Sequence, residues 1–205
     1  MRPVVIHRLR VADALSWSGS LTAEEEARAG RFRFEVDRDR FRAGRGALRH
    51  WVGGALGIAP AAVVFLEGTH GKPFVEGAPV FFNLSHSGDW IVLALADAEV
   101  GVDVELARED VDVLEIAKVV FTSRELEELD ALEPGGEQRR AFYRLWARKE
   151  AVLKAWGTGF SLDAKRVHVG LAPAPLEVSL AGLDAVSVED VAIDARHAGA
   201  VAVVI

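Results

Sequence analysis

The stretch Val100-Gly101-Val102-Asp103-Val104-Glu105 sets the tightest limit on what this chain can become. It has the composition of a buried strand, yet it carries two carboxylates. Side chains alternate along an extended chain, so Asp103 and Glu105 point to one face and Val102 and Val104 to the other. Two like charges that close, on a mostly apolar strand, repel each other and lose hydration. The arrangement becomes reasonable if a divalent cation sits between them, and oxygen ligands of this kind suit Mg²⁺ or Ca²⁺. The plainer alternative is a strand end at which both acids face water. The strand alone leaves both open.

The 205 residues, half of them hydrophobic, are enough for one large domain or two small ones packed together. There is no cysteine, so disulfides, a thiolate nucleophile and a Cys-ligated metal are excluded. The opening Met1-Arg2-Pro3-Val4-Val5-Ile6-His7-Arg8 has too short an apolar run for a signal peptide. No stretch reaches the roughly 18 to 20 apolar residues of a membrane span. A soluble cytoplasmic protein without membrane contact is expected. A net charge of −7 argues against a general nucleic-acid binder, because phosphate contacts need a cationic face.

One local patch runs against that net charge. Arg28, Arg31, Arg33, Arg38, Arg40, Arg42, Arg45 and Arg49 crowd into 22 residues, with Phe32, Phe34, Phe41, Leu48 and Trp51 among them. Asp37 to Leu56 reads as a helix ended by Gly57, and Arg38, Arg42, Arg45 and Arg49 form a stripe on one face. That stripe is either a face paired to the preceding acids or a phosphate site, which arginine's planar fork suits. Before it, Thr22 is placed to cap a helix through Glu24, Glu25 and Glu26.

Val4 to Leu9, Val63 to Leu66, Val80 to Phe82 and Asp89 to Ala96 read as strands, and with Val100 to Glu105 the later ones make an antiparallel meander. Asn83-Leu84-Ser85-His86-Ser87 reads as a polar loop. It gathers an amide, hydroxyls and an imidazole suited to an anion rather than to a hydrolase triad. Val111 to Lys118 and Ser123 to Leu132 read as helices, and Glu137 to Trp156 is the strongest helix of the chain. Glu150 and Lys154 share a face of it, four residues apart. Val167 to Val169, Leu176 to Leu180, Val186 to Val188, Val191 to Ile193 and Ala200 to Ile205 read as short strands. An Arg-rich helix, a Gly stop and strands are echoed later by a Trp-Lys-Glu helix, a Gly stop and strands. Two α+β halves meeting near Val100 to Arg108 are expected.

The order Gly71-Lys72-Pro73, Phe82-Asn83-Leu84-Ser85-His86-Ser87, Val100-Gly101-Val102-Asp103-Val104-Glu105, Phe121-Thr122-Ser123-Arg124-Glu125 and Trp146-Ala147-Arg148-Lys149-Glu150-Ala151-Val152-Leu153-Lys154 resembles the 4′-phosphopantetheinyl transferases. It is similar to the large two-lobed class, typified by the surfactin-synthetase-activating enzyme, that serves peptide, polyketide and fatty-acid synthases. Each motif is weak alone; five in order, from about Arg28 to Phe160, are specific. The resemblance implies an α+β fold of two similar α/β lobes related by a pseudo-twofold axis, in a monomer, with lobes at 1–101 and 102–205. It implies coenzyme A as substrate in the cleft and an apo acyl or peptidyl carrier domain as partner. The phosphopantetheine arm would pass to a carrier serine, leaving adenosine 3′,5′-bisphosphate.

The same resemblance suggests roles. Arg40, with Arg28 and Arg31 as helpers and His86 beside them, would meet the 3′-phosphate. Lys72 and Pro73 would line the adenine, and Ser85 and His86 would reach the phosphates. Asp103, Glu105 and Glu150 would hold Mg²⁺, or Mn²⁺, against the pyrophosphate, and Lys154 would stabilise charge there. Glu150 is the first choice of base for the serine and Glu125 the second; Lys149 is structural. Glu25 stands where some members use a lysine. Val111, Val113, Leu114, Ile116 and Val119 are candidates for contact with the acidic, helical carrier. A Mg²⁺-dependent nuclease and a non-catalytic coenzyme A-binding module are the competing readings.

Overall fold

The computed structural model describes residues 3–205; Met1 and Arg2, with which the first expected lobe begins, lie outside them. The first lobe opens with strand β1 (Val4–Arg10) and a short helix α1 (Val11–Ala14). Helix α2 (Ala23–Ala29) is capped by Thr22, whose hydroxyl accepts from Glu25 N while its own N–H donates to the Glu25 carboxylate. Helix α3 (Glu35–Leu56) stops at Gly57, whose φ of 68° lies in the left-handed region that favours glycine. A hairpin of β2 (Leu66–Glu67) and β3 (Pro73–Phe74) leads to β4 (Phe81–Ser87) and β5 (Trp90–Ala96).

The second lobe repeats this plan. It opens with β6 (Val100–Leu106), followed by helices α4 (Val113–Val120) and α5 (Ser123–Asp130) and the long α6 (Gly136–Ala155). Strands β7 (Leu176–Val178), β8 (Val186–Asp190) and β9 (His197–Val204) complete it. The sheets run β1-β5-β4 and β6-β9-β8-β7, antiparallel throughout. In each lobe the first strand pairs with the last and the last with the one before it. This duplication is the α+β, pseudo-twofold arrangement. Val167 to Val169 and Val191 to Ile193, expected as strands, make no ladder. Val169 N donates instead to the Glu125 carboxylate and Val191 N to Gly199 O. No helix among the described residues is long and apolar enough to cross a membrane.

Strand β5 explains why the lobes cannot separate cheaply. Leu93 and Leu95 pack with Leu48 and Val52 of α3, and Ile91 with Ala43 and Ala47. On its other face Val92, Ala94 and Ala96 pack against Val102, Val104, Val201 and Val203 of the second sheet. The layers are α3, first sheet, second sheet, α6, with Leu145 and Val152 of α6 on Val186, Val188 and Ala200. Each valine buried at the middle interface contributes roughly 1.5 to 3 kcal/mol.

The arginine stripe resolves in favour of the paired face. Arg42 reaches Glu26 at 2.7 Å, Arg45 reaches Glu25 at 2.9 Å, and the buried Arg49 holds Glu25 at 2.7 Å while also donating to Pro60 O and Val63 O. These guanidiniums bolt α2 to α3 and are not available to a phosphate. Burial alone would raise the Glu25 pKa; the Arg49 hydrogen bond, the Thr22 N–H and the charges of Arg45 and Arg49 outweigh it and hold it below the ordinary 4.5. A depressed folded pKa contributes stability that is present above 4.5 and lost as pH falls through the folded value. Glu25→Gln is therefore expected to lose about 3 kcal/mol of unfolding free energy at pH 7. The gap to wild type should close in acid, as urea unfolding across pH would show. A gap unchanged at the acid end would contradict this assignment.

Candidate active site

The lobes are stitched at the β4–β6 join by side chains rather than by a ladder. β4 shows that the stretch Asn83–Ser87 is a strand, not the expected loop. Its alternate residues Asn83, Ser85 and Ser87 face the second lobe and accept from Val102 N, Val104 N and Leu106 N at 2.9, 3.4 and 3.0 Å. The free edge of β6, which would otherwise leave its amides unpaired, is thus closed. The period of two in Asn-x-Ser-x-Ser was the signal for this.

β6 lies directly on α6. A Cβ on Gly101 would stand 2.0 Å from Ala151 O and 2.4 Å from Ala155 N, so only glycine permits the approach. With Gly101 turned to α6, alternation turns Asp103 and Glu105 to it as well. On α6, Trp146, Glu150 and Lys154 follow one another at intervals of four, on the face that meets them. Lys154 Nζ donates to Asp103 Oδ1 at 2.6 Å and to Ser85 Oγ and Val102 O at 3.3 Å. Ser85 Oγ donates to Asp103 Oδ1 at 2.8 Å. Glu105 accepts from Trp146 Nε1 at 3.2 Å and from Ser87 Oγ at 3.3 Å. Trp146 and Ser87 were not among the expected site residues; their spacing to Glu150 and Ser85 could have marked them.

This cluster is short of positive charge. Burial, and then the Asp103 charge, push the Glu105 carboxyl up to about 7, against the pull of Lys154. Burial also raises Glu150; Lys154 opposes it and Asp103 adds to it. Asp103 is 3% exposed, and its Oδ2 is buried without a hydrogen-bond partner among the described residues. Glu150 makes no hydrogen bond through its carboxylate among the described residues. No three His, Cys, Asp or Glu among the described residues stand close enough together to hold a metal as they lie.

The other expected residues fall at the two ends of the seam or away from it. Beyond the β4–β5 turn, Arg40 Nε donates to Gly88 O at 3.0 Å and Nη1 to Asp37 at 3.3 Å. Partial burial of the His86 ring, then the Arg40 charge, hold His86 below its ordinary pKa. At the opposite end Lys72 Nζ reaches Glu99 at 2.6 Å and Val100 O at 3.0 Å. Lys72 and Pro73 there border a groove of about 750 Å³, walled also by Phe81, Glu99, Trp156 and Asp184. Arg28 is exposed and pairs with Glu67 at 3.3 Å; Arg31 is exposed and makes no ion pair among the described residues. Glu125 is elsewhere. It is fully buried, caps α5 through Thr122, and accepts from Lys149 Nζ at 2.8 Å and Val169 N at 2.8 Å. With both oxygens engaged inside the lobe, it has no free face for a substrate proton. Of the apolar residues on and before α4, Val113 is core, whereas Leu114 and Val119 are 38% and 71% exposed.

The chain is a duplicated α+β fold with an acid and lysine cluster where its lobes join. Two family models cover it: "4'-phosphopantetheinyl transferase, N-terminal" matches residues 12–98, and "4'-phosphopantetheinyl transferase superfamily" matches residues 99–198. The 4'-phosphopantetheinyl transferase HetI of Nostoc sp. is 39% identical over 162 residues, 76% of this chain and 67% of that protein. The 4'-phosphopantetheinyl transferase psf-1 of Bacillus pumilus is 40% identical over 139 residues, 67% of this chain and 58% of that one. A 4'-phosphopantetheinyl transferase of Bacillus subtilis is 35% identical over 153 residues, 74% of this chain and 67% of that protein. The matched stretch thus spans about three fifths to two thirds of these relatives' own length. The chain belongs to the 4′-phosphopantetheinyl transferase superfamily.

Proposed function

We propose that the chain transfers the 4′-phosphopantetheine arm of coenzyme A to a serine hydroxyl of an apo acyl or peptidyl carrier domain. The serine oxygen bonds to the phosphorus that bears the arm. The bond from that phosphorus to the bridging oxygen of the pyrophosphate breaks, and adenosine 3′,5′-bisphosphate leaves with the electron pair. The hydroxyl proton passes to a base. The observation that carries this reading is the meeting of Asp103, Glu105, Glu150 and Lys154 at the seam.

Glu150 is our choice of base: Asp103 and Glu105 have hydrogen-bond partners, and its carboxylate has none among the described residues. Lys154, already aimed at the seam, supplies fixed positive charge to the pyrophosphate. Arg40 and His86 receive the 3′-phosphate, with Arg28 and Arg31 on its approach. Lys72 and Pro73 line the adenine beside the groove. Ser85 orients Lys154 and Asp103 and lies against the phosphates.

The donor set suits a hard divalent cation: the acids are all-oxygen, short of counter-charge, and include one buried oxygen with no partner among the described residues. Asp103, Glu105 and Glu150 would hold Mg²⁺, or Mn²⁺ in its place. Held by these residues, that ion would supply positive charge to the phosphates and the leaving group. One chain supplies both walls of the seam, so a monomer in the cytoplasm suffices. Leu114 and Val119 offer an apolar contact to the acidic, helical carrier. The test is to incubate the protein with coenzyme A, Mg²⁺ and an apo carrier and to follow nucleotides by chromatography. Adenosine 3′,5′-bisphosphate should appear only when the carrier serine is present. Release without a carrier, or no release with any of several carriers, would overturn the reading.

A further inference from the structure

We propose that Asp194 and His197 form a strut between the lobes that sets the position of Arg40, and that His197 is a positioning residue for the 3′-phosphate end of the substrate. This rests on the reading of Arg40 given above. The strut is formed by the segment before β9 and the first residue of that strand, against the β4–β5 turn, in a part of the chain to which no motif drew attention.

Asp194 gathers donors from both lobes. Its Oδ1 accepts from Arg196 N at 2.9 Å and lies 2.7 Å from His197 Nδ1. Its Oδ2 accepts from Trp90 Nε1 of the first lobe at 2.9 Å, with Arg10 at 3.9 Å. Arg10 itself lies over the Trp90 ring, 3.9 Å from its centroid. The hydrogen bonds from His197 and Trp90 hold the Asp194 carboxyl well below the usual carboxylate range, as expected of an acceptor that stays ionised.

His197 carries this anchor to the substrate side. Its side chain is 2% exposed and its Nε2 is buried without a hydrogen-bond partner among the described residues. Nε2 stands against the β4–β5 turn: a Cβ added to Gly88 would come within 3.1 Å of it. Gly88 has φ of 57°, so the turn needs glycine both for its backbone and for the space the imidazole occupies. The carbonyl of that same Gly88 accepts from Arg40 Nε, and the preceding Ser87 bonds Leu106 N and the Glu105 carboxylate. The contacts therefore run Asp194, His197, Gly88, Arg40, from the second lobe to a cation of the first. A buried nitrogen without a partner costs free energy and contributes no bond of its own. Its place is accounted for if the ring serves as a stop for the turn, fixed in orientation by Asp194.

The test uses the whole protein and compares coenzyme A with dephospho-coenzyme A, which lacks only the 3′-phosphate. Wild type should bind coenzyme A at least about tenfold more tightly, one charge-assisted contact's share. His197→Ala should lose most of that preference, raise KM for coenzyme A about tenfold and leave kcat within about twofold. Trp90→Phe, which keeps an aromatic ring there but removes the N–H to Asp194 and part of the surface under Arg10, should show a smaller shift of the same kind. His197→Asn, which can still donate to Asp194, should recover part of the preference. Circular dichroism at the assay temperature checks that each variant is folded. If the folded variants keep the wild-type ratio of the two ligands, or lose kcat with the ratio intact, the strut is overturned. If wild type itself does not distinguish the two ligands, Arg40 does not read the 3′-phosphate; the inference then falls through the functional reading and not through the strut's geometry.

Discussion

Glu150→Gln should bind coenzyme A within about threefold of wild type and lose at least about a hundredfold in transfer rate, the share a positioned base contributes. The amide keeps the shape of the side chain on α6 and removes its capacity to take a proton. The fold should be indifferent to the change, because the Glu150 carboxylate makes no hydrogen bond among the described residues that the amide could break. Coenzyme A binding measured without Mg²⁺ should draw instead on the groups proposed above that the substitution leaves alone: Arg40 and His86 at one end of the seam, Lys72 and Pro73 at the other. Calorimetry for binding and single-turnover kinetics for transfer separate the two effects. Unchanged turnover would remove Glu150 from the chemistry. The contrast is Glu125→Gln, which should act on stability, because both Glu125 oxygens are held inside the second lobe and the buried Lys149 would lose its counter-charge.

Gly101→Ala should be the most damaging single methyl in the chain. The added carbon would stand 2.0 Å from the carbonyl oxygen of Ala151 and 2.4 Å from Ala155 N. Both are backbone atoms of α6, and neither can rotate away. β6 and α6 would have to separate, forcing β6 into the close-packed valine interface on its other face and pulling Asp103 from Lys154. A loss of more than about 4 kcal/mol, or failure to fold, is expected. Gly54→Ala is the control: its Cβ would meet nothing within 4 Å, and on an exposed helix position it should stabilise by about 0.5 to 1 kcal/mol. Denaturant midpoints of the two variants give the comparison; equal stability would mean that the β6–α6 approach is looser than described.

Period and glycine spacing made most of this fold legible. Helices α3 and α6 carry a clear three-or-four repeat and end at glycines, and they lie within a residue or two of where the pattern puts them. The strand at Val100 carried its own geometry, since alternation alone put Asp103 and Glu105 on one face. What local pattern could not carry was partnership across long distances. The arginine stripe had two chemically sound readings, and only the packing of α2 on α3 shows that Arg42, Arg45 and Arg49 are spent on Glu25 and Glu26. Asn83 to Ser87 looked like a loop because its polar residues suit water. They suit equally the free edge of another strand, which lies 18 to 19 residues away in sequence. Glu125 carried the right chemistry for a base and the wrong address, buried under Lys149.

The direct measurement is the mass of a carrier. An apo carrier domain incubated with this protein, coenzyme A and Mg²⁺ should gain one phosphopantetheine arm on its serine. It should gain none when that serine is alanine, and little when the protein is Glu150→Gln. A carrier that keeps its apo mass after incubation with the folded wild-type protein, across several carriers, would contradict the account at its centre.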